Sequence, residues 1–231
     1  MRSTLVKKKS WALIDLNQLF CKLQVNKVMG SRKSFLDFLN KFIPLGQDEY
    51  DELIAPCVIK RNFGKKTIIT QSGEVENYIN FIESGLARKY YKKENEEINT
   101  QISYEGHIIH AQESFHSRTP SEYSIETIEP TEVTSMTYEC LERIYSSSEK
   151  MQRLGRLVIT TTMVMKDKWQ SRLVKLTPRE RFIEFVTKHP ELMQRVPQKY
   201  LASYLNIKPE TFSRFKHMVK DHSKKVAFHP N

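Results

Sequence analysis

The feature that most restricts the fold is a run of apolar residues with helical spacing in the last third of the chain. Its members are Met151, Leu154, Val158, Met165, Trp169, Leu173 and Leu176, at intervals of 3, 4, 7, 4, 4 and 3 residues. These intervals predict one apolar stripe on a helix of about 25 residues, roughly 40 Å long. Such a helix extends past any small domain beside it, so part of its stripe needs another partner. A parallel copy from a second subunit would supply one; burial within its own chain is the alternative.

Residues 57–138 have a different pattern. Short segments rich in Ile, Val, Thr and Tyr are separated by clusters of Gly, Pro, Asn or Glu. This pattern is typical of a compact antiparallel barrel or sandwich. Two short helices are predicted before it, the first beginning at Ser34.

Charge is distributed unevenly along the 231 residues. The net charge is +10, and residues 166–231 carry fifteen Lys/Arg and six Asp/Glu. A basic C-terminal third indicates a module that binds a polyanion, with a solvated basic surface as the alternative. The three cysteines, Cys21, Cys57 and Cys140, are scattered and form no metal or disulfide pattern, which predicts a reducing, cytoplasmic setting. No run of 18 apolar residues is present, so no membrane span is expected.

A new domain is predicted to begin at Thr177, because Thr177, Pro178 and Glu180 form a helix start with a capping box. Within that domain, "KYLASYLNIKPETFSRFK" predicts helices over 198–205 and 209–219. The apolar residues that would form their common core are Leu201, Leu205, Ile207, Phe212 and Phe215. Ala202 would allow the two helices to cross closely, and Asn206 tolerates the left-handed turn between them. These offsets are those of a helix-turn-helix.

The second of these helices would present a set of polar side chains outward. Glu210, Thr211, Ser213 and Arg214 are candidates for reading bases, since Glu can accept from cytosine and Arg can bind guanine in a bidentate manner. The candidates for contacts to the DNA backbone are Lys199, Tyr200, Lys208 and Lys216. An amphipathic helical hairpin with a Glu–Arg surface pair is the alternative interpretation.

Residues 34–220 resemble the Crp/Fnr superfamily of bacterial transcription regulators. "YINFIESGLARKYY" is similar to the family's hairpin around a turn glycine, "GHIIHAQESF…TPSEYSIETIEPTEV" to its ligand-pocket segment, and "VPQKYLASYLNIKPETFSRFK" to its helix-turn-helix. The resemblance implies an α+β fold. Its parts would be an effector-type β-roll of the cyclic-nucleotide-binding kind over 29–145, a dimerisation helix over 146–176 and a winged helix-turn-helix over 177–231. Residues 1–28 lie outside it as an extension that is flexible or non-native, with Met29 as a plausible start.

The resemblance further implies a homodimeric regulator that binds double-stranded DNA and RNA polymerase. Glu210 and Arg214 fall on the family's base-reading Glu and Arg. Pro209 stands where the family has a further Arg, so the target sequence should differ. Two alternatives remain open: a small-ligand sensor whose C-terminal domain binds a protein, and an activator that responds to a cyclic nucleotide. No enzyme signature is present, so no catalytic activity is expected.

The effector cannot be read from the sequence. The residues that match the family's pocket segment are Gly106, His107, Arg118, Ser121 and Glu122. His107 replaces the Glu that would bind a ribose, and Ser121-Glu122 replaces the Arg-Ser/Thr that would bind a cyclic phosphate, so no cyclic nucleotide is expected to bind. Arg118 is the one nearby residue that could substitute.

A metal site is a weaker hypothesis. His107, His110, Glu113 and His116 are spaced three apart and would share a face if the stretch were helical. A polar loop is the competing interpretation, and no cofactor is predicted. An iron–sulfur switch would need four closely arranged Cys, and only three scattered ones are present.

Overall fold

The structure, a computed structural model, describes Arg32 and residues 34–227. The expectations for residues 1–28 fall outside this part of the chain. The strands are β1 (Val58–Phe63), β2 (Ile68–Thr70), β3 (Tyr78–Ser84), β4 (Leu86–Lys93), β5 (Glu96–Tyr104), β6 (Ile108–Ile109), β7 (Ser124–Thr127) and β8 (Thr131–Thr137). The helices are α1 (Phe35–Leu39), α2 (Gln47–Leu53), α3 (Gln112–Ser117), α4 (Tyr138–Ser147), α5 (Glu149–Lys175), α6 (Pro178–Lys188), α7 (Leu192–Arg195), α8 (Gln198–Tyr204) and α9 (Pro209–Ala227).

The eight strands form two antiparallel sheets, which confirms the predicted antiparallel sandwich. Their orders are β1-β8-β3-β6 and β2-β7-β4-β5. Alternate residues of the strands point between the sheets and meet in one apolar cluster, made of Ile82, Ala87, Ile109, Ile125 and Val133. The period of two along each strand therefore gives each sheet an inner and an outer face.

The predicted hairpin around Gly85 is wrong. Strand β3 pairs with β6 and β8, whereas β4 pairs with β5 and β7, so the chain passes from one sheet to the other at Gly85. Gly85 has φ of +99°, and a Cβ there would lie 2.4 Å from the carbonyl oxygen of Pro130. The position is therefore a corner that requires glycine because the neighbouring backbone passes so close.

The outer face of the first sheet is covered by helices. Phe81 and Met136 of that sheet pack in one cluster with Phe38 of α1 and with Met151 and Leu154 of α5. Aromatic contacts strengthen the cluster, since the rings of Phe38 and Phe81 lie 5.1 Å apart. The first two turns of α5 are thereby fixed against the sandwich.

The long helix predicted from the apolar stripe is present as α5. Ser148 begins it, and the Ser148 side chain accepts a hydrogen bond from the amide of Met151 at 3.2 Å. The first stripe residues are fully buried within the chain. Farther along, the stripe residue Met165 is 42% exposed, whereas Met163 and Val174, which lie outside the stripe, are 59% and 87% exposed. Met163 and Val174 are eleven positions apart, about three turns, so they lie on the same side of the helix.

Four helices follow the long one in the described residues, but the predicted wing is not present there. All the strands described lie between Val58 and Thr137, and α9 continues to Ala227. The physical reason is that the sequence from Lys216 to Ala227 contains no Gly or Pro and no alternation of apolar and polar residues, so nothing in it ends the helix or favours a hairpin. Among the described residues, no helix has the length and apolar character that a membrane crossing needs.

We predict that Gly85→Ala lowers the free energy of unfolding by about 2–4 kcal/mol, because it adds both backbone strain and a clash with Pro130. Gly64→Ala is the matched control, since a Cβ at Gly64 makes only an ordinary 3.4 Å contact with Thr67. Urea unfolding followed by circular dichroism measures both. Equal stability of the two variants would contradict the corner.

Candidate nucleic-acid interface

Helices α8 and α9 form the two arms of a helix-turn-helix. Asn206 lies between them with φ of +51°, the left-handed conformation predicted for this turn residue. The amide of Ile207 donates to the carbonyl of Ala202 at 2.9 Å, and the amide of Asn206 donates to that of Ser203 at 3.0 Å. These bonds close the end of α8 in the manner of a helix C-cap, so the chain turns sharply before Pro209 begins α9.

One apolar core holds the two arms together. The residues predicted for it are all buried, namely Leu201, Ala202, Leu205, Ile207, Phe212 and Phe215. Helix α6 completes the core, since the ring of Phe182 meets that of Phe212 edge-on at 5.0 Å. Helices α6 and α8 therefore bury the inner side of α9, and its remaining residues form the outer side.

The candidate base-reading residues lie on this outer side at the amino end of α9. Glu210 and Arg214 are exposed, and Thr211 and Ser213 are half-buried. Glu210 and Arg214 are four residues apart, so their side chains are neighbours on one face of the helix. The four residues therefore share one end of one helix that is accessible from outside the chain.

The candidate backbone residues fall into two groups. Lys199 and Lys208 are exposed, and Lys216 is half-buried. The carbonyl of Lys208 accepts the first helical hydrogen bond of α9, from the amide of Phe212 at 2.9 Å. Tyr200 is placed differently, because its ring packs against a guanidinium of the β sandwich. Three of the four candidates thus surround α9 with positive charge.

The arginine on which Tyr200 packs is Arg88, whose side chain is almost fully buried. The guanidinium carbon of Arg88 lies 3.9 Å from the centre of the Tyr200 ring. It also forms ion pairs with Glu126 and Glu97, with the Glu97 pair at 2.8 Å. Nearby, the Ser203 hydroxyl accepts from an amide of β5 at 2.9 Å. Helix α8 is therefore packed against β5 and β4.

Arg195 forms a second junction between the helices and the sandwich. It donates two hydrogen bonds to Glu105, at 2.7 and 3.1 Å, and it also pairs with Glu129. Burial disfavours ionisation of Glu105, but the bonds from Arg195 hold the pKa of that carboxyl below its ordinary value. Sequence reasoning did not identify this pair because 90 residues separate its members.

Sequence reasoning also missed Arg181, a buried residue of α6. Its guanidinium donates to the carbonyl oxygens of Leu173 at 3.1 Å, Leu176, Leu205 at 2.8 Å and Asn206 at 2.9 Å. These carbonyls lie at the carboxyl ends of α5 and α8, where backbone oxygens lack helical partners. One side chain therefore connects the end of the long helix to the turn of the helix-turn-helix.

The residues proposed for a ligand pocket do not come together. Gly106 and His107 form hydrogen bonds of 2.9 Å with the backbone of Ile82, near the end of β3. His107 is half-buried there, with Nδ1 3.2 Å from the carbonyl of Tyr104, and desolvation lowers the pKa of its imidazole to about 4. This part of the predicted pocket is a packed turn.

The other three pocket residues lie beside the loop that leads into β3. Arg118 donates to the carbonyl of Glu76 at 2.9 Å and to the side chain of Asn77 at 2.7 Å. The amide of Ser121 donates to the carbonyl of Glu74 in the same loop at 2.9 Å, and Glu122 is exposed. Asn77 and Ile82 are five residues apart on an extended chain, so roughly 16 Å separates the two groups.

The proposed metal ligands are also divided. His107 lies in the turn before β6, whereas Glu113 and His116 belong to α3, so the four residues do not share one helical face. The rings of His110 and His116 do approach, at 6.2 Å between centroids. Over the described residues, no three His, Cys, Asp or Glu are grouped so that they could hold a metal ion.

Comparison with known proteins agrees with this architecture. The family model for the cyclic nucleotide-binding domain matches residues 60–148. FixK2 from Bradyrhizobium japonicum superposes with a TM-score of 0.60 at 17% identity, over 72% of this chain and 86% of FixK2. The chain has the Crp/Fnr-type fold.

Two further structures share the Crp/Fnr-type fold. The c-di-GMP responsive global regulator CLP of Xanthomonas campestris has a TM-score of 0.58 at 15% identity, over 80% of this chain and 96% of CLP. A protein described as a Crp/Fnr-family regulator from Eubacterium rectale has a TM-score of 0.57 at 16% identity, over 77% of this chain and 85% of its own. No curated protein matches the chain in sequence.

We predict that Arg181→Met lowers the free energy of unfolding by about 2–4 kcal/mol, because four buried carbonyl oxygens lose their donor. Arg179→Met is the control, since it removes the same charge from an exposed position of α6. Thermal and urea unfolding measure the difference. If both variants unfold alike, Arg181 does not hold the junction.

Proposed function

We propose that this protein is a transcription regulator that binds a specific DNA sequence as a homodimer. The observation that carries the proposal is the exposed amino end of α9, where Glu210 and Arg214 stand side by side on a Crp/Fnr-type frame. The major groove of B-form DNA is wide enough for an α-helix such as α9, and the residues in the first two turns of such a helix reach the base edges.

Each of the four polar residues has a role in the proposal. Arg214 would donate to guanine O6 and N7, and Glu210 would accept from the amino group of cytosine. Thr211 and Ser213, one residue after Glu210 and one before Arg214, would contact a neighbouring base or a phosphate. Pro209 has no side-chain donor, so the base next to the helix start would be read less strictly.

Lys199, Lys208 and Lys216 would contact phosphates on either side of the groove. Each such contact releases a condensed counterion, so log K should fall with log salt by about 0.9 per contact. Tyr200 is the least favoured of the four backbone candidates, since its ring is occupied by Arg88. Its hydroxyl would have to reach a phosphate past that contact.

We also propose that α5 pairs with a copy of itself. Met163 and Val174 lie on one exposed side of the helix, and an apolar side chain that is covered by a partner gains about 1.5–3 kcal/mol. A parallel pair would place the two α9 helices about 34 Å apart, one turn of the duplex, so that each reads half of a near-palindrome.

The sandwich would serve as an effector-type domain that also offers a surface to RNA polymerase. We do not expect a cyclic nucleotide to be its effector. The guanidinium of Arg118, the one residue that could bind the cyclic phosphate, is already engaged by Glu76 and Asn77. Glu122 adds an exposed carboxylate four residues farther along, which would repel an anion.

The test is a selection of binding sites from random duplexes with the purified protein, followed by gel shifts with the selected site. We predict that Arg214→Ala lowers affinity for that site by about 1–3 kcal/mol and relaxes the preference at one base pair. Lys216→Ala, the matched loss of a cation on the same helix, should instead weaken binding to every duplex and reduce the salt slope by about 0.9.

Failure to select any site would overturn the proposal and favour a protein-binding C-terminal domain. If Arg214→Ala weakened all sequences equally, Arg214 would contact a phosphate and the assignment of base readers would be wrong. An unchanged salt slope in Lys216→Ala would remove Lys216 from the contacts.

The dimer is tested with a pair of matched variants on α5. We predict that Met163→Glu raises the dimer dissociation constant by about 100-fold, because the pairing would bury a carboxylate from each subunit. Met165→Glu makes the same change two residues away, on the opposite side of the helix, and should leave the dimer intact. Sedimentation equilibrium measures both, and the reverse outcome would place the contact on the apolar stripe instead.

A further inference from the structure

A cavity of about 90 Å³ lies between α1, the outer face of the first sheet, α4 and α5. Most of its wall is apolar and includes Phe38, Phe81, Leu141, Met151, Leu154 and Val158. Such a space is larger than one water molecule needs, and an apolar wall offers water few partners. The cavity is therefore suited to an apolar group of a few carbon atoms.

One rim of this cavity is polar. His110, Gln112 and Thr162 line it at this rim. His110 is half-buried, and its Nε2 atom is shielded from solvent and has no hydrogen-bond partner. Burial lowers the pKa of this imidazole to about 3, so the ring is neutral at physiological pH. An unpaired buried nitrogen is costly, which indicates that the rim lacks a polar group to complete it.

Positive charge collects at the same rim. Lys166 follows Thr162 by one helical turn on α5 and donates to the side-chain oxygen of Gln112. Lys89 is buried on the inner side, with its ammonium nitrogen 3.4 Å from the carbonyl of His110. Burial and then the charge of Lys166 lower the pKa of Lys89 to about 8, so the two ammonium groups repel each other across the rim.

Few carboxylates balance these charges. Glu76 attracts Lys89, but burial raises the pKa of Glu76, and its oxygens are already bonded to Thr70 and to the amide of Ala111. Glu142 acts on His116, whose ring lies beyond that of His110. An apolar cavity with excess positive charge at one rim matches a molecule with an apolar body and one acidic group.

We propose that this cavity binds a small organic acid, with its hydrocarbon body among the apolar residues and its carboxylate against Lys166. The carboxylate replaces Gln112 as the partner of the ammonium group. His110 lines the same cavity, and its unpaired Nε2 would form a hydrogen bond with a polar atom of the same ligand. A phosphate or a nucleotide would leave the apolar wall uncovered, and a neutral hydrocarbon would leave the charges unbalanced. The proposal does not depend on DNA binding.

The test uses hexanoate, 1-hexanol and acetate as probes, each titrated into the full chain by calorimetry. Hexanoate should bind at least about tenfold more tightly than 1-hexanol, which lacks the charge, and than acetate, which lacks the body. Lys166→Met keeps most of the aliphatic stem and should lower hexanoate affinity about tenfold without changing that of 1-hexanol. Lys175→Met, the same change near the end of α5, should alter neither.

A further variant tests the cavity itself. Val158→Phe fills it and should abolish binding of both six-carbon probes, with circular dichroism showing that the chain remains folded. The proposal is overturned if no probe binds the unmodified chain or if 1-hexanol binds as tightly as hexanoate. It is also overturned if Lys166→Met and Lys175→Met have the same effect, because the charge would then act only at long range.

Discussion

The position of the helix-turn-helix depends on the buried guanidinium of Arg181. Its four acceptors are backbone oxygens at the carboxyl ends of α5 and α8, where helices carry partial negative charge and unpaired carbonyls. No carboxylate is needed, because these oxygens together stabilise the cation. Since α9 starts only a few residues after Asn206, its direction relative to the long helix follows from this one side chain.

The sandwich imposes a second constraint on the same helices. Arg88 of the sandwich packs on Tyr200 of α8, and Arg195 of α7 pairs with Glu105 of the sandwich. Helix α8 and the segment before it are therefore each held against the sandwich by an arginine. Because Arg181 of α6 also donates to carbonyl oxygens at the end of α5, the helices that follow α5 are connected to both the long helix and the sheet. A change in the angle between those two elements would therefore have to move α9 or break one of these contacts.

A feature could be predicted from the sequence when the residues that determine it lie close together in the chain. Asn206 and Ala202 were predicted because a turn residue and a small crossing residue depend only on neighbours a few positions away. The corner at Gly85 was read as a hairpin, because a glycine between two strand-like segments suits both, and only the choice of partner strand distinguishes them. Arg181 and Arg195 have acceptors 5 to 90 residues away, and no short pattern marks such pairs. The predicted pocket residues are separated for the opposite reason: they are close in sequence, but the chain between them runs along β6 and α3 to the other end of β3.

The cavity illustrates the same limit and suggests how the parts are connected. Its wall comes from several helices and strands spread between residues 35 and 162, so no single stretch of sequence predicts it. The wall on α5 includes the first turns of that helix, which are fixed against the sheet, whereas Arg181 fixes its last turn to the helix-turn-helix. A ligand at the rim would thus act on one end of a rigid element whose other end determines where α9 points. Because α5 is one continuous helix of about 40 Å, a small change in its angle at the cavity becomes a larger displacement at the interface.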